Sequence, residues 1–231
     1  MNVLETNLGF EIKTSDFTLL FGGVNSQLPQ LKEHYPQFKF VRLKQIHSDA
    51  VIETTSTETD YQILGDAHFT THPLALCVVT ADCVPAFLYD PNKSVVAGIH
   101  AGWRGVASRI IPKTIAQLKE RGSNPEDIQV IIGPHIQKKS FEVEFDVRDQ
   151  ILSSLGPLNA QDRALFTEKI SDTKALVDLN QVVKAQIQSE GVSLEKVFDL
   201  HLDTVTDPRF HSYRRDKEKS GRQISFIVLN K

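Results

Sequence analysis

The chain has 231 residues, of which 40% are hydrophobic and 24% charged, as in an ordinary globular protein. Its formal net charge of −3 gives no overall basic field, so we expect neither nucleic acid nor an acidic membrane surface as a partner. No stretch approaches the roughly 18 apolar residues of a membrane span, and we expect no signal peptide at this N-terminus. Two cysteines are too few for a disulfide scaffold. We therefore expect a reduced, cytoplasmic protein.

Hydrophobic patterning predicts that short strands dominate the first part of the chain. These strands cover residues 17–24, 38–43, 51–54, 74–80, 84–90 and 94–100, with a turn and a brief strand within 65–70. Helices are predicted over 106–121, 146–155 and 175–190, and strands over 128–132, 197–200 and 224–229. Pro112 fits the first helix only if that helix begins late or kinks there. No linker or repeat divides the chain, so we predict one α+β domain over residues 1–231.

The strands over 84–90 and 94–100 are predicted to form a hairpin that carries a thiol and an imidazole. If Asp90 pairs with Lys93 across the turn residues Pro91 and Asn92, then Cys83 lies opposite His100. Directly opposed residues have Cβ atoms about 4.5–5.5 Å apart. This spacing suits two ligands of one soft metal ion, or a thiolate–imidazole pair.

A third candidate ligand is His47, which follows the predicted strand 38–43. Two histidines and one cysteine leave the fourth position of a tetrahedral zinc ion open for water or substrate, and copper also accepts imidazole and thiolate donors. The spacing of these residues is not a close-packed metal motif. A buried cysteine and hydrogen-bonded structural histidines are the alternative interpretation, and we assign that structural role to Cys77.

Arginines and carboxylates near these residues suggest further roles. Arg104 lies where a glycine-rich bend meets a predicted helix start, a position that favours an anion. Arg214 and Arg215 belong to a basic cluster with two alternative interpretations. The cluster binds phosphate through its guanidinium groups, or it is a solvated loop held by salt bridges. Asp66 and Asp82 can each orient a ligand histidine or transfer a proton.

Segments throughout the chain resemble one known family. They are Gly22-Gly-Val, Gln45-Ile-His-Ser, Gly65-Asp-Ala, Thr80-Ala-Asp-Cys-Val-Pro, Leu88-Tyr-Asp, His100-Ala-Gly-Trp-Arg-Gly, Ile132-Gly-Pro, Phe141-Glu-Val, Ser212-Tyr-Arg-Arg-Asp and Ser220-Gly-Arg-Gln. In sequence, order and approximate spacing they are similar to the laccase-domain family, also called the multicopper polyphenol oxidase or purine nucleoside phosphorylase family.

The resemblance implies an α+β sandwich of mixed sheets with surrounding helices. It also implies a zinc or copper site at His47, Cys83 and His100, and cleavage of purine nucleosides by phosphate. Adenosine deamination and cleavage of methylthioadenosine are linked to the same site. On this basis Cys83, His100 and Asp82 are assigned to catalysis. The phosphate-binding residues assigned with them are Arg104, Arg214 and Arg215.

The chain departs from the family pattern at three places. Leu20 stands where members often carry arginine, His135 stands where a cysteine often follows Gly-Pro, and His201-Leu202 stands where Cys-Thr is frequent. These departures leave the substrate preference open. The alternative functions are a copper-dependent polyphenol oxidase, metal-free hydrolysis with Cys83 as nucleophile and His100 as base, and a nucleoside-binding module without turnover.

Overall fold

Two six-stranded sheets pack face to face in the computed structural model, which describes residues 1–230. In spatial order the first sheet contains β1 (Leu4–Thr6), β2 (Gly9–Lys13), β3 (Phe17–Gly22), β15 (Gln223–Leu229), β7 (Leu74–Thr80) and β4 (Lys39–Arg42). The second contains β14 (Val197–Asp199), β10 (Gln129–Ile132), β8 (Val84–Asp90), β9 (Val95–Ala101), β6 (Ala67–Thr70) and β5 (Val51–Glu53). Both sheets mix parallel and antiparallel pairs.

A small third sheet and the helices complete the fold. The third sheet is formed by β11 (Glu142–Glu144), β13 (Lys174–Val177) and β12 (Thr167–Lys169). The helices are α1 (Leu28–His34), α2 (Trp103–Ala107), α3 (Ile110–Glu120), α4 (Phe145–Ser153), α5 (Ala160–Phe166), α6 (Leu179–Ser189) and α7 (Tyr213–Asp216). None of these helices is long and apolar enough to cross a bilayer.

Alternate residues of the central strands enter different hydrophobic layers, as the period of two in a strand requires. On β8, Phe87 enters the layer between the two large sheets, where its ring lies 5.6 Å from that of Phe21, and Leu88 enters the layer beneath the helices. Leu31 of α1 belongs to a third apolar cluster on the outer face of the first sheet. The predicted α+β sandwich with surrounding helices is therefore confirmed.

Two predicted helices were wrong in extent. The predicted helix 175–190 is divided into β13 and α6, because Asp178 caps α6 by accepting a hydrogen bond from the Gln181 N–H at 3.0 Å. The predicted helix 106–121 is also divided, since Arg109 has a left-handed φ of 61° between α2 and α3. Pro112 thus lies in the first turn of a helix that begins late, where its missing N–H costs no hydrogen bond.

The predicted register of the hairpin was also wrong. Asp90 pairs with Val95 across a four-residue loop, and His100 pairs with Pro85 instead of Cys83. The Asp90 carboxylate causes the longer loop, because it accepts hydrogen bonds from the N–H groups of Asn92 and Lys93. The shift of two residues keeps Cys83 and His100 on the same side of the hairpin.

Close packing of Gly133 against Phe21 joins the two large sheets. A Cβ atom at Gly133 would lie 2.1 Å from Cδ1 of the fully buried Phe21 ring. We predict that Gly133→Ala lowers the free energy of unfolding by about 1–3 kcal/mol, the usual cost of overpacking. Urea denaturation measures the change. A double variant with Phe21→Leu should lose less stability than the sum of the single changes, whereas strict additivity would contradict this contact.

Candidate active site

A cavity of about 920 Å³ opens beside the loops that join the two large sheets. The β7–β8 loop contributes Cys83, the segment after β4 contributes His47, and β9 contributes His100. The β9–α2 junction and the C-terminal segment around α7 form other parts of the wall. Residues far apart in sequence therefore meet at one site.

His47, Cys83 and His100 form the cluster expected from the sequence. Their ligand atoms all lie within 4.8 Å of one another, and the two imidazole rings meet edge to face with centroids 4.9 Å apart. His47 is exposed, Cys83 is half-buried and His100 is buried, so the cluster faces the cavity from its wall. Among residues 1–230, this is the one group of at least three such side chains with metal-binding geometry.

Gly102 explains how the sulfur and the imidazoles approach each other despite the shifted register. In the observed register Cys83 lies next to Gly102 beyond the last hydrogen-bonded pair of the hairpin. A Cβ atom at Gly102 would lie 3.0 Å from Cδ2 of His47 and 3.1 Å from the Cys83 sulfur. The absence of a side chain at Gly102 leaves the space in which the three candidate ligand groups meet.

The buried Asp66 carboxylate orients two of the three candidate ligands. It accepts hydrogen bonds from the backbone N–H groups of Ile46, His47 and Ser48 and from the Ser48 hydroxyl. It also contacts Nδ1 of His100 at 2.8 Å. Since Nδ1 is occupied in this way, Nε2 of His100 is left for a metal ion. Asp66 has the orienting role that the sequence left open between Asp66 and Asp82.

The electrostatics of the cluster favour a thiolate. Burial would raise the pKa of the Cys83 thiol, but the charge of His100 and hydrogen bonds from His100 and His47 lower it to about 6. Burial would lower the pKa of His100, but the Cys83 thiolate and the Asp66 hydrogen bond raise it to about 9. Burial of Asp66 is outweighed by hydrogen bonds from His100 and Ser48, which lower its pKa to about 2.

This donor set fits a metal ion. One thiolate and two imidazoles are ligands that zinc and copper both accept, so His47, Cys83 and His100 would hold such an ion in the cavity wall. The carboxylate behind His100 is the arrangement that orients metal-bound histidines in general. The same thiolate–imidazole pair is also compatible with a nucleophilic cysteine.

The predicted arginines are divided between the cavity and the scaffold. Among residues 1–230, seven of the ten arginines form an ion pair with a carboxylate; the three without such a partner are Arg104, Arg214 and Arg222. All three line the cavity. The Arg215 guanidinium instead donates to the carbonyl oxygens of Thr204, Val205 and Phe210 and to Asp216. Arg215 therefore stabilises the loop behind the cavity and does not line it.

Asp82 lies in the cavity wall, but both of its carboxylate oxygens have partners within the protein. Oδ1 accepts the Thr204 hydroxyl and Oδ2 accepts the Arg214 backbone N–H, each at 2.6 Å. The Arg214 guanidinium donates to the Glu142 carbonyl oxygen at 2.8 Å. Asp82 thus joins the loop that carries Cys83 to the segment that carries Arg214.

Three further histidines and Leu20 lie away from the cluster. His68 contacts the Cys77 carbonyl oxygen, and His135 contacts the Gly133 carbonyl oxygen; both are buried. His201 is exposed and lies near Asp199. Leu20, where the family pattern often has arginine, is fully buried in the apolar cluster next to α1.

Sequence reasoning missed several residues of the cavity wall. Tyr61, Phe141 and Leu179 line the cavity and were assigned no role. Lys217 and Arg222 also line it; they belong to the same basic cluster as Arg214 but were not singled out within it. Arg222 belongs to a recognised Gly-Arg-Gln segment, so its motif was a usable signal. Trp103 packs against the core and also lines the cavity, and the Arg104 guanidinium lies 4.3 Å from the centroid of the Trp103 ring.

The sequence matches a family described as multi-copper polyphenol oxidoreductase laccase over residues 23–230. A purine nucleoside phosphorylase of Clostridium acetobutylicum is 34% identical over 227 residues, covering 97% of this chain and 88% of that protein. The purine nucleoside phosphorylase YfiH of Escherichia coli K12 is 34% identical over 193 residues, covering 83% and 74%.

Solved structures share the fold. The protein YfiH of Bacillus licheniformis is 28% identical, with a TM-score of 0.80 over 93% of this chain and 91% of that one. YlmD of Geobacillus stearothermophilus is 25% identical, with a TM-score of 0.81 over the same shares. These neighbours support the α+β architecture described above.

The two cysteines provide a matched test of the metal cluster. We predict that Cys83→Ala abolishes stoichiometric zinc binding, because it removes the thiolate ligand. Cys77→Ala should keep it, because Cys77 is buried on β7 away from the cluster. Metal analysis after dialysis against zinc measures both variants. Full zinc content in Cys83→Ala would contradict the assignment.

The lowered pKa of Cys83 predicts its reactivity in metal-free protein. Alkylation by iodoacetamide should rise with pH and reach half its plateau near pH 6, because the thiolate is the nucleophile. Cys77 should stay unmodified, since burial raises the pKa of its thiol to about 12. Peptide mass spectrometry follows both sites. A midpoint near the ordinary value of about 8.5 would show that the imidazoles do not stabilise the thiolate.

Proposed function

Because this chain belongs to the multi-copper polyphenol oxidoreductase laccase family, we propose that it cleaves purine nucleosides with phosphate and releases a purine base and ribose 1-phosphate. One observation carries most of the proposal. The histidine–cysteine cluster and the arginines without an acidic partner line the same cavity. A phosphorylase needs an anion site next to the place where the glycosidic bond breaks.

Arg104 and Arg214 bind the attacking phosphate in this proposal. A guanidinium group offers a planar pair of N–H donors that matches phosphate oxygens. Neither side chain has a competing carboxylate among residues 1–230, so neither must break an ion pair to bind phosphate. Asp82, initially assigned to catalysis, instead acts as a positioning residue, because its oxygens already hold Thr204 and the Arg214 backbone.

The apolar part of the cavity holds the purine. Trp103, Phe141 and Leu179 provide flat or aliphatic surface next to the charged groups. They reduce the access of water to the reacting carbon atom, so that phosphate attacks instead. In the reaction the bond from the purine N9 to C1′ of ribose breaks, a bond from a phosphate oxygen to C1′ forms, and the phosphate proton passes to the purine.

His47, Cys83 and His100 hold a zinc ion in this proposal, with copper as the alternative. Zinc supplies a Lewis acid when it is bound. Asp66 keeps His100 in the orientation that presents Nε2, and the lowered pKa keeps Cys83 as a thiolate at neutral pH. Cys83 and His100 therefore serve the reaction as ligands, and metal-free catalysis by this pair is the competing interpretation.

Adenosine deamination is a second proposed activity of the same site. In it adenosine and water give inosine and ammonia. The donor set supports it, because two histidines and one cysteine would hold zinc, and zinc when bound supplies the chemistry by which deaminases act on adenine at C6. Inosine formed from adenosine without phosphate tests this activity separately from phosphorolysis.

Polyphenol oxidation is the other activity that the family description suggests. A multicopper enzyme requires several copper centres, but the described part of the chain, residues 1–230, offers one cluster with ligand geometry. Phenol oxidation by the copper-loaded protein, without any by the zinc-loaded protein, would favour this activity.

The direct test is a chromatographic assay of zinc-loaded protein with adenosine, inosine or methylthioadenosine, with and without phosphate. We expect adenine or hypoxanthine to be released only when phosphate is present. Unchanged nucleoside in every reaction, with zinc bound stoichiometrically, would overturn the proposed phosphorolysis.

The arginine assignment predicts a change in phosphate affinity. Replacing Arg104 or Arg214 with alanine should raise the KM for phosphate roughly tenfold to hundredfold, the equivalent of about 1.5–3 kcal/mol for a hydrogen bond to a charged group. Arg163→Ala is the control, because this exposed arginine pairs with Asp149 away from the cavity. An unchanged KM in both cavity variants would contradict the assignment.

A further inference from the structure

Two cationic residues of the cavity wall have no role in the proposed phosphorolysis. Arg222 and Lys217 both lie on the segment between α7 and β15. The Arg222 guanidinium donates to the carbonyl oxygens of Ser220 and Gly221 and lies 5.7 Å from the Tyr213 ring centroid. Neither Arg222 nor Lys217 has a carboxylate partner within ion-pair distance among residues 1–230. Both remain free to bind an anion.

The cavity carries more positive charge than one phosphate requires. The chain has a net charge of −3, yet five lysines and arginines line the cavity against two carboxylates. Both carboxylates are already engaged, since Asp82 holds Thr204 and Arg214 while Glu142 pairs with Lys174 at 2.7 Å. Once Arg104 and Arg214 are assigned to inorganic phosphate, Arg222 and Lys217 still offer two positive charges.

The size of the cavity permits a second phosphoryl group. A volume of about 920 Å³ is near the upper end of the roughly 300–1,000 Å³ that is usual for small-molecule sites. The lining combines the apolar wall at Trp103 and Phe141 with cationic groups on two separate elements, α2 and the C-terminal segment. A ligand with a flat apolar ring and a terminal phosphate matches this distribution.

We propose that the cavity accepts purine nucleoside 5′-monophosphates, with Arg222 and Lys217 binding the 5′-phosphate group. This inference rests on the proposed phosphorolysis. With AMP, the N9–C1′ bond breaks, a bond from an inorganic phosphate oxygen to C1′ forms, and the phosphate proton passes to the leaving adenine. The products are adenine and ribose 1,5-bisphosphate.

The first experiment compares AMP with adenosine as substrates of the zinc-loaded protein in the presence of phosphate. We expect kcat/KM for AMP to be at least equal to that for adenosine, and mass spectrometry to identify ribose 1,5-bisphosphate. In Arg222→Ala the ratio of kcat/KM for AMP to that for adenosine should fall at least tenfold. Lys219→Ala is the matched control, because it removes one positive charge from an exposed position of the same segment outside the cavity wall.

A binding measurement separates the possible failures. The chain has a single tryptophan, and Trp103 lines the cavity, so its fluorescence reports ligand binding. We expect AMP to bind at least tenfold more tightly than adenosine, and Arg222→Ala to remove this difference.

Cleavage of adenosine with no cleavage of AMP would overturn the 5′-phosphate site and leave the phosphorylase intact. If neither substrate is cleaved, the proposed phosphorolysis is wrong. The binding measurement then still tests the 5′-phosphate site, because equal affinity for AMP and adenosine would overturn it. An equal loss of affinity for AMP and for inorganic phosphate in Arg222→Ala would also overturn it, because Arg222 would then belong to the inorganic phosphate site.

Discussion

The geometry of the site depends above all on the buried carboxylate of Asp66. This group receives N–H donors from three consecutive residues around His47 and also contacts the His100 ring. It thereby holds His47 in a left-handed conformation, with φ of 58°, and fixes which nitrogen of His100 faces Cys83. A buried carboxylate is costly unless its hydrogen bonds are satisfied. Here the donors are so numerous that Asp66 stays ionised, and they lower its pKa to about 2.

The sandwich brings this arrangement next to the arginines of the cavity wall. The chain passes from β7 of the first sheet to β8 of the second through the loop that carries Cys83, so the cluster lies where the two sheets are joined. Asp82 of the same loop holds the backbone of Arg214. The thiolate and the guanidinium are thus positioned by adjacent residues of one loop. Arginines elsewhere in the described chain are neutralised by carboxylates, which concentrates the unpaired positive charge at the cavity.

The sequence predicted the central strands well because continuous apolar runs such as Leu74–Thr80 are buried on both faces. It did not predict the hairpin register. The loop length depends on hydrogen bonds from the Asn92 and Lys93 N–H groups to the Asp90 side chain, and these form only with a particular Asp90 rotamer and loop backbone. The apolar residues that end at Val177 are compatible with either a strand or a helix. They form strand β13 because this segment pairs with β11 and β12. The sequence did predict that His47, Cys83 and His100 form one cluster, because all three lie in recognisable motifs at the ends of strands. The difference between Arg214 and Arg215 was not predictable, because adjacent residues of a short helix point to different surroundings.

In the proposed reaction phosphate, rather than water, attacks the nucleoside at this site. Phosphorus and proton NMR spectra of one sample of zinc-loaded protein with inosine and inorganic phosphate distinguish the two. We expect a growing resonance of ribose 1-phosphate, matched by an equal loss of inorganic phosphate and an equal release of hypoxanthine. Release of hypoxanthine with inorganic phosphate unchanged would identify a hydrolase and rule out phosphorolysis.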